Sequence, residues 1–170
     1  MATSVKAIAT VEVGAGGAAT IEFTSIPATY TDLVVLGSCR TTVGGTTDET
    51  TLTFNGNTSG YSWKMLYGQG SSAASVQNPP STAIYGVQIN GDTSTSNTFG
   101  NFLIYVPNYV GNTNKSASID AVQENNGTTA YMKMVAGLWS DTSAITSLKL
   151  SGQSGNFKQY STATLYGIKG

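Results

Sequence analysis

VKAIATVEVGAGGAATIEF, residues Val5 to Phe23, is the stretch on which the fold class turns. Its two apolar runs, Val5–Val13 and Ala18–Phe23, largely alternate apolar with small, polar or charged side chains, the period of a strand with one buried face. Between them lies GAGG, Gly14 to Gly17, a loop that permits positive φ. Together they predict a first β-hairpin. Outward from it the same signal recurs in LVVLGSCR (Leu33–Arg40) and ASIDAV (Ala117–Val122), with Gly, Asn, Ser, Thr or Pro in the gaps. No segment carries a helical period. The chain reads as all-β, an antiparallel sandwich or barrel of about eleven strands in one domain, residues 1–170.

The connections are partly legible. In SIPATYTD (Ser25–Asp32), Pro27 fixes the backbone, Ile26 and Tyr30 tuck beneath the turn, and Asp32 caps the next strand. TTVGGTTDET (Thr41–Thr50) reads as a flexible surface loop. Asn55-Gly56 predicts a hairpin between TLTF and YSWKMLY. Gly68 to Thr82 reads as the longest polar loop, closed by Pro79-Pro80, which the interior of a strand does not tolerate. Asn126-Gly127 leads ASIDAV into YMKMVAGLW (Tyr131–Trp139). That run, TFGNFLIYVP (Thr98–Pro107) and LVVLGSCRT place large side chains on both faces, so one face meets the core and the other needs a second cover.

Composition narrows function by subtraction. Only 10% of residues are charged, against about 25% in an average domain, and eight basic against nine acidic side chains give a formal charge of −1. No basic cluster offers a footprint for nucleic acid. No apolar stretch is long enough to cross a bilayer, and the first residues lack a signal-peptide pattern. A polar but uncharged surface suits a protein packed against copies of itself. With no histidine, neither a Ser-His-Asp triad nor His metal ligation is possible. Cys39 beside Arg40 reads as a packed core thiol, the nine acids announce no shared cleft, and GAGG lacks the context of a phosphate loop. No catalytic, metal or cofactor site is expected.

Aromatic residues remain. Tyr61, Trp63, Met65 and Tyr67 fall on one face of a strand, where they either stack sugar rings or fill the core. Phe102, Tyr105, Met132, Met134 and Trp139 lie in the most apolar strands and are candidate core or subunit-contact residues.

Three segments carry a resemblance: Ile21 to Thr42, Leu52 to Gly70 and Ala144 to Gly170. They hold an Ile-Pro-x-x-Tyr-x-x-Leu turn (Ile26, Pro27, Tyr30, Leu33), an FN…Y hairpin (Phe54, Asn55, Tyr61) and a terminal LYGIK (Leu165–Lys169). In these motifs the chain resembles a family of tailed-phage virion proteins, common in phages of aquatic bacteria including cyanophages. The resemblance implies a jelly-roll-like β-sandwich on the phage surface, usually trimeric, acting as a capsid decoration (cement) protein or as a fibre head. A fibre head needs an attachment segment, and strands are expected from about Val5 to Lys169. The expectation is therefore a non-enzymatic homotrimer that is made in the host bacterial cytoplasm and sits on the outer capsid surface. It would touch the major capsid protein through Met1–Ile8 or the Gly68–Thr82 loop. The alternative is a receptor-binding fibre head that recognises a host surface glycan through the Tyr61–Tyr67 stripe.

Overall fold

A computed structural model of the chain describes residues 4–127 and 129–170. Its twelve strands are β1 (Ser4–Glu12), β2 (Thr20–Phe23), β3 (Asp32–Cys39), β4 (Thr47–Phe54), β5 (Tyr61–Gln69), β6 (Ser72–Ser81), β7 (Ile84–Asn90), β8 (Gly100–Val106), β9 (Lys115–Gln123), β10 (Tyr131–Trp139), β11 (Leu148–Gly152) and β12 (Thr162–Lys169). Among the described residues there is no helix. The strands form an eight-stranded sheet, β1-β12-β3-β8-β9-β10-β5-β6, and a four-stranded sheet, β2-β11-β4-β7, with every paired neighbour antiparallel.

The pairing identifies a jelly roll. β1 pairs β12, β2 pairs β11, β3 pairs β8 and β4 pairs β7, so the chain behaves as a long antiparallel ribbon rolled onto itself. Two hairpins interrupt the ribbon: β5-β6 between β4 and β7, and β9-β10 between β8 and β11. Both add to the β8 edge, which stretches one sheet to twice the width of the other. This unequal width creates the features described below.

Between the sheets lies one apolar core, with Ile21, Leu33, Val35, Leu52, Phe54, Ile104, Trp139, Leu150 and Leu165 all buried. Two glycines let the edge strand β7 press against β10. A Cβ on Gly137 would meet the Ile84 side chain at 2.7 Å, and one on Gly86 would meet Val135 Cγ2 at 2.5 Å. Gly86 also holds φ +114°, a conformation that side chains disfavour.

Several expectations are corrected. β1 and β2 do not form a hairpin. β1 lies at the edge of the large sheet and β2 at the edge of the small one, so GAGG is a crossing between sheets. The Asn55-Gly56 turn exists, with φ of 52° and 70°, yet β4 and β5 also part into different sheets. Turn chemistry fixes a local bend and leaves the pairing partner open. The expected polar loop at Gly68–Thr82 is largely strand β6. Proline is tolerated there because β6 is an outer edge, and its pairing with β5 is irregular between Tyr61 and Trp63, opposite the prolines. β4 starts at Thr47, inside the segment expected to be a loop. By contrast, β9 and β10 do form a hairpin, with Gln123 opposite Tyr131. Ile26 is buried, the Tyr30 ring lies over Gly167, and Asp32 accepts hydrogen bonds from Tyr105 Oη and Asn108 N–H, each at 2.9 Å. Of the Met1–Ile8 segment expected to touch the capsid protein, Met1–Thr3 lie outside the described residues.

Candidate functional sites: an open cleft and an uncovered sheet face

The large sheet outruns the small one. Beyond β7, the inner faces of β5 and β10 lose their cover and open a cleft of about 550 Å³. Trp63, Met65 and Tyr67 come from β5, Tyr131 and Lys133 from β10, Asp48 and Glu49 from β4, and Gln88 from β7. Strand register brings them together: Lys133 stands opposite Tyr67, Val135 opposite Met65, and Glu49 opposite Gln88.

Lys133 organises the cleft. It points inward from an apolar strand and is almost fully buried, so it requires a counter-charge. Glu49 supplies it, with Nζ to Oε1 at 2.6 Å. The same ammonium lies 5.9 Å from the Tyr67 ring centre and 5.8 Å from that of Tyr131, within cation–π range. The two rings are 6.5 Å apart. Burial, with the nearby Tyr67 and Glu49 adding to it, pushes the Tyr131 phenol above its ordinary pKa.

Asp48 is 6% exposed. Its Oδ1 accepts the Glu49 N–H at 2.8 Å, while Oδ2 is shut off from solvent beside the Thr41 hydroxyl, without a well-formed hydrogen bond. Burial raises its pKa above the ordinary carboxylate value. Gln88 is 4% exposed and lines the cleft, and its carboxamide makes no hydrogen bond among the described residues.

The aromatic stripe of β5 therefore divides. Tyr61 belongs to the core: it stacks on Trp139 at 6.1 Å and 17°, and its hydroxyl accepts the Phe54 N–H at 2.8 Å. Burial pushes its pKa up to about 12. A buried ring with an engaged hydroxyl has no face left for a sugar, so Tyr61 is removed from the candidate glycan residues. Trp63 and Tyr67 are half-buried and line the cleft. Trp63 packs at 5.8 Å from Tyr85 and donates Nε1–H to Ser81 Oγ at 3.3 Å.

The candidate subunit contacts divide in the same way. Phe102 and Trp139 point into the core, so they contribute packing and cannot meet a second subunit. The Phe102 ring fills the space beside Gly37, where a Cβ would come within 2.1 Å of it. Tyr105 lies half-buried on the outer face, its hydroxyl bonded to Asp32. Met132 and Met134 are 60% and 64% exposed on the outer face of β10.

They are not alone there. Leu103, Met134 and Leu66 fall in one row across β8, β9, β10 and β5, separated only by Asp120, and Leu36 on β3 extends the row. All four are exposed. A shallow, apolar concavity of about 600 Å³ lies over Leu66, Leu103, Met134 and Ala136. The second cover expected for these strands is absent among the described residues.

Other polar groups are structural. Cys39 is fully buried, and burial pushes its thiol pKa up to about 12. Arg40 turns away from it and donates to the carbonyls of Asp92, Ser94, Thr95 and Thr98 at 2.8–3.1 Å, which pins that loop. Buried Lys115 likewise donates to the carbonyls of Gly111, Thr113 and Thr142. Among the described residues no group of three His, Cys, Asp or Glu is placed to hold a metal ion, and no helix is long and apolar enough to cross a membrane.

No family model and no curated protein matches this sequence. Among solved structures, the fructofuranosidase from Schwanniomyces occidentalis complexed with fructosylnystose aligns at 9% identity with a TM-score of 0.24, covering 99% of this chain and 33% of that one. The chain thus spans about a third of that protein's length. A likeness this low carries no argument about fold or function.

Proposed function

We propose that this chain is a non-enzymatic structural protein of a tailed-phage virion, a decoration protein that binds the outer capsid surface as a homotrimer. The observation that supports self-assembly best is the uncovered apolar face of the large sheet. Exposed apolar patches of this kind mark interaction surfaces. Six neighbouring strands, β3, β8, β9, β10, β5 and β6, about 4.8 Å apart and some 25 Å long, present roughly 700 Å². That approaches the roughly 800 Å² per partner of a standard interface.

A second copy of the chain suits this face better than a charged partner. On either side of β10 the face carries one cation and one anion, Lys64 and Asp120, and neither takes part in an ion pair among the described residues. A neighbouring copy can answer each with its opposite, as self-complementary surfaces do. Three copies is the number implied by the resemblance. Cement action would then be additive: many modest apolar contacts per subunit, multiplied over a lattice, resist the pressure of packaged DNA.

Locating the chain in purified particles tests the reading. Density for three copies at each decorated position on the capsid lattice is expected. Presence only in the tail, or absence from mature particles, would overturn it.

A further inference from the structure

We propose that the cleft between β5, β10, β4 and β7 binds a neutral saccharide. This goes beyond the decoration role and does not depend on it. Three observations restrict the ligand. The cleft, at about 550 Å³, falls within the roughly 300–1,000 Å³ of small-molecule sites. Its walls present the rings of Trp63, Tyr67 and Tyr131, flat apolar surfaces suited to the C–H face of a pyranose. Beside them stands a planar group with unused hydrogen-bonding capacity, the Gln88 carboxamide. A polyol with one apolar face and a rim of hydroxyls matches both kinds of surface at once.

Charge excludes the nearest competitors. The cation site between Tyr67 and Tyr131 is already filled by Lys133, so a quaternary ammonium ligand would have to displace the chain's own ammonium. One lysine against two carboxylates, Asp48 and Glu49, leaves the cleft at a formal charge of 1 − 2 = −1, which disfavours anionic sugars. Hydrolysis is not implied. Glu49 is held by Lys133 at 2.6 Å, which leaves no second free carboxylate in the cleft to act with Asp48.

The protein contains its own probe. Of its two tryptophans, Trp139 is buried in the core and Trp63 lines the cleft, so a change in tryptophan emission on ligand addition reports the cleft. The full chain is applied to an array of neutral hexose and N-acetylhexosamine oligosaccharides printed beside sialylated and sulfated ones, and each hit is titrated by fluorescence. The expected result is a neutral hit that alters Trp63 emission. Tyr131→Ala or Tyr67→Ala should weaken it about tenfold, the equivalent of one lost stacking contact. Glu22→Gln, on the far edge of the small sheet, should leave it unchanged. The proposal is overturned if no neutral saccharide binds, if only acidic ones do, or if folded Tyr131→Ala binds as tightly as the parent. None of these failures bears on capsid binding.

Discussion

The two faces of the eight-stranded sheet are built from the same strands and similar side chains, yet they have opposite fates. On β10, Val135 and Trp139 point inward and are buried, while Met132, Met134 and Leu138, one position away, stand in solvent. On β8, Phe102 and Ile104 face the core while Leu103 faces outward. The difference lies in what covers each face. The small sheet seals the inner face as far as β7 and then stops, which leaves a cleft, and nothing in the described chain covers the outer face. On the reading proposed here, apolar residues on an unsealed face mark where the fold ends and contact with a neighbour begins.

The contrast predicts a graded set of substitutions. Trp139→Ala, on the sealed face, removes a ring packed between Phe54 and Tyr61 and should cost about 3–5 kcal/mol in chemical denaturation. If it costs no more than a surface change, the inner face is not the core described here. At the rim of the cleft, Lys133→Ala strips Glu49 of its partner and removes the cation between two tyrosines. A loss of about 1–3 kcal/mol is expected by the same measurement, since Glu49 keeps partial access to water.

Asp48→Asn works in the opposite direction. Burial raises the native carboxyl pKa above the unfolded value of 3.8, so the folded state holds its proton more tightly and loses stability as pH rises through that window. The amide should therefore raise the denaturation midpoint at pH 7, and the gain should vanish below about pH 4, where aspartate is protonated in both states. A benefit that is equal at both pH values would show that burial of charge is not its source.

How much of this was legible in the sequence follows from the same contrast. Period-two alternation and turn residues gave the all-β class and most strand positions, because they depend on local sterics and on burial of one face. Pairing was not legible. The turns at Gly14–Gly17 and Asn55-Gly56 resemble hairpins, yet each carries the chain to the other sheet, and that choice depends on strands more than ninety residues away, such as β12 and β11. Proline misled at β6 because an edge is a property of the whole sheet.

The candidate site was half visible. The spacing of Trp63 and Tyr67 placed them on one face, but their partners Asp48 and Glu49 sit in a segment whose Thr- and Gly-rich start looks like a loop. One signal was available: Lys133 between two methionines, in the most apolar strand, has to find a buried carboxylate. The doubly apolar runs also announced an unmet cover, without distinguishing Met134, which is exposed, from Trp139, which is not.

The smallest effect on stability should accompany the largest effect on assembly. Leu66→Lys with Met134→Lys places two charges on the uncovered face, where side chains make few internal contacts, so stability should change by about 1 kcal/mol or less. Sedimentation of the parent chain and this double variant, each in its folded state, tests the central claim most directly. The parent should sediment as a trimer and the variant as a monomer with an unchanged circular dichroism spectrum. A monomeric parent, or a variant that stays assembled, would contradict the claim that this face holds neighbouring copies together.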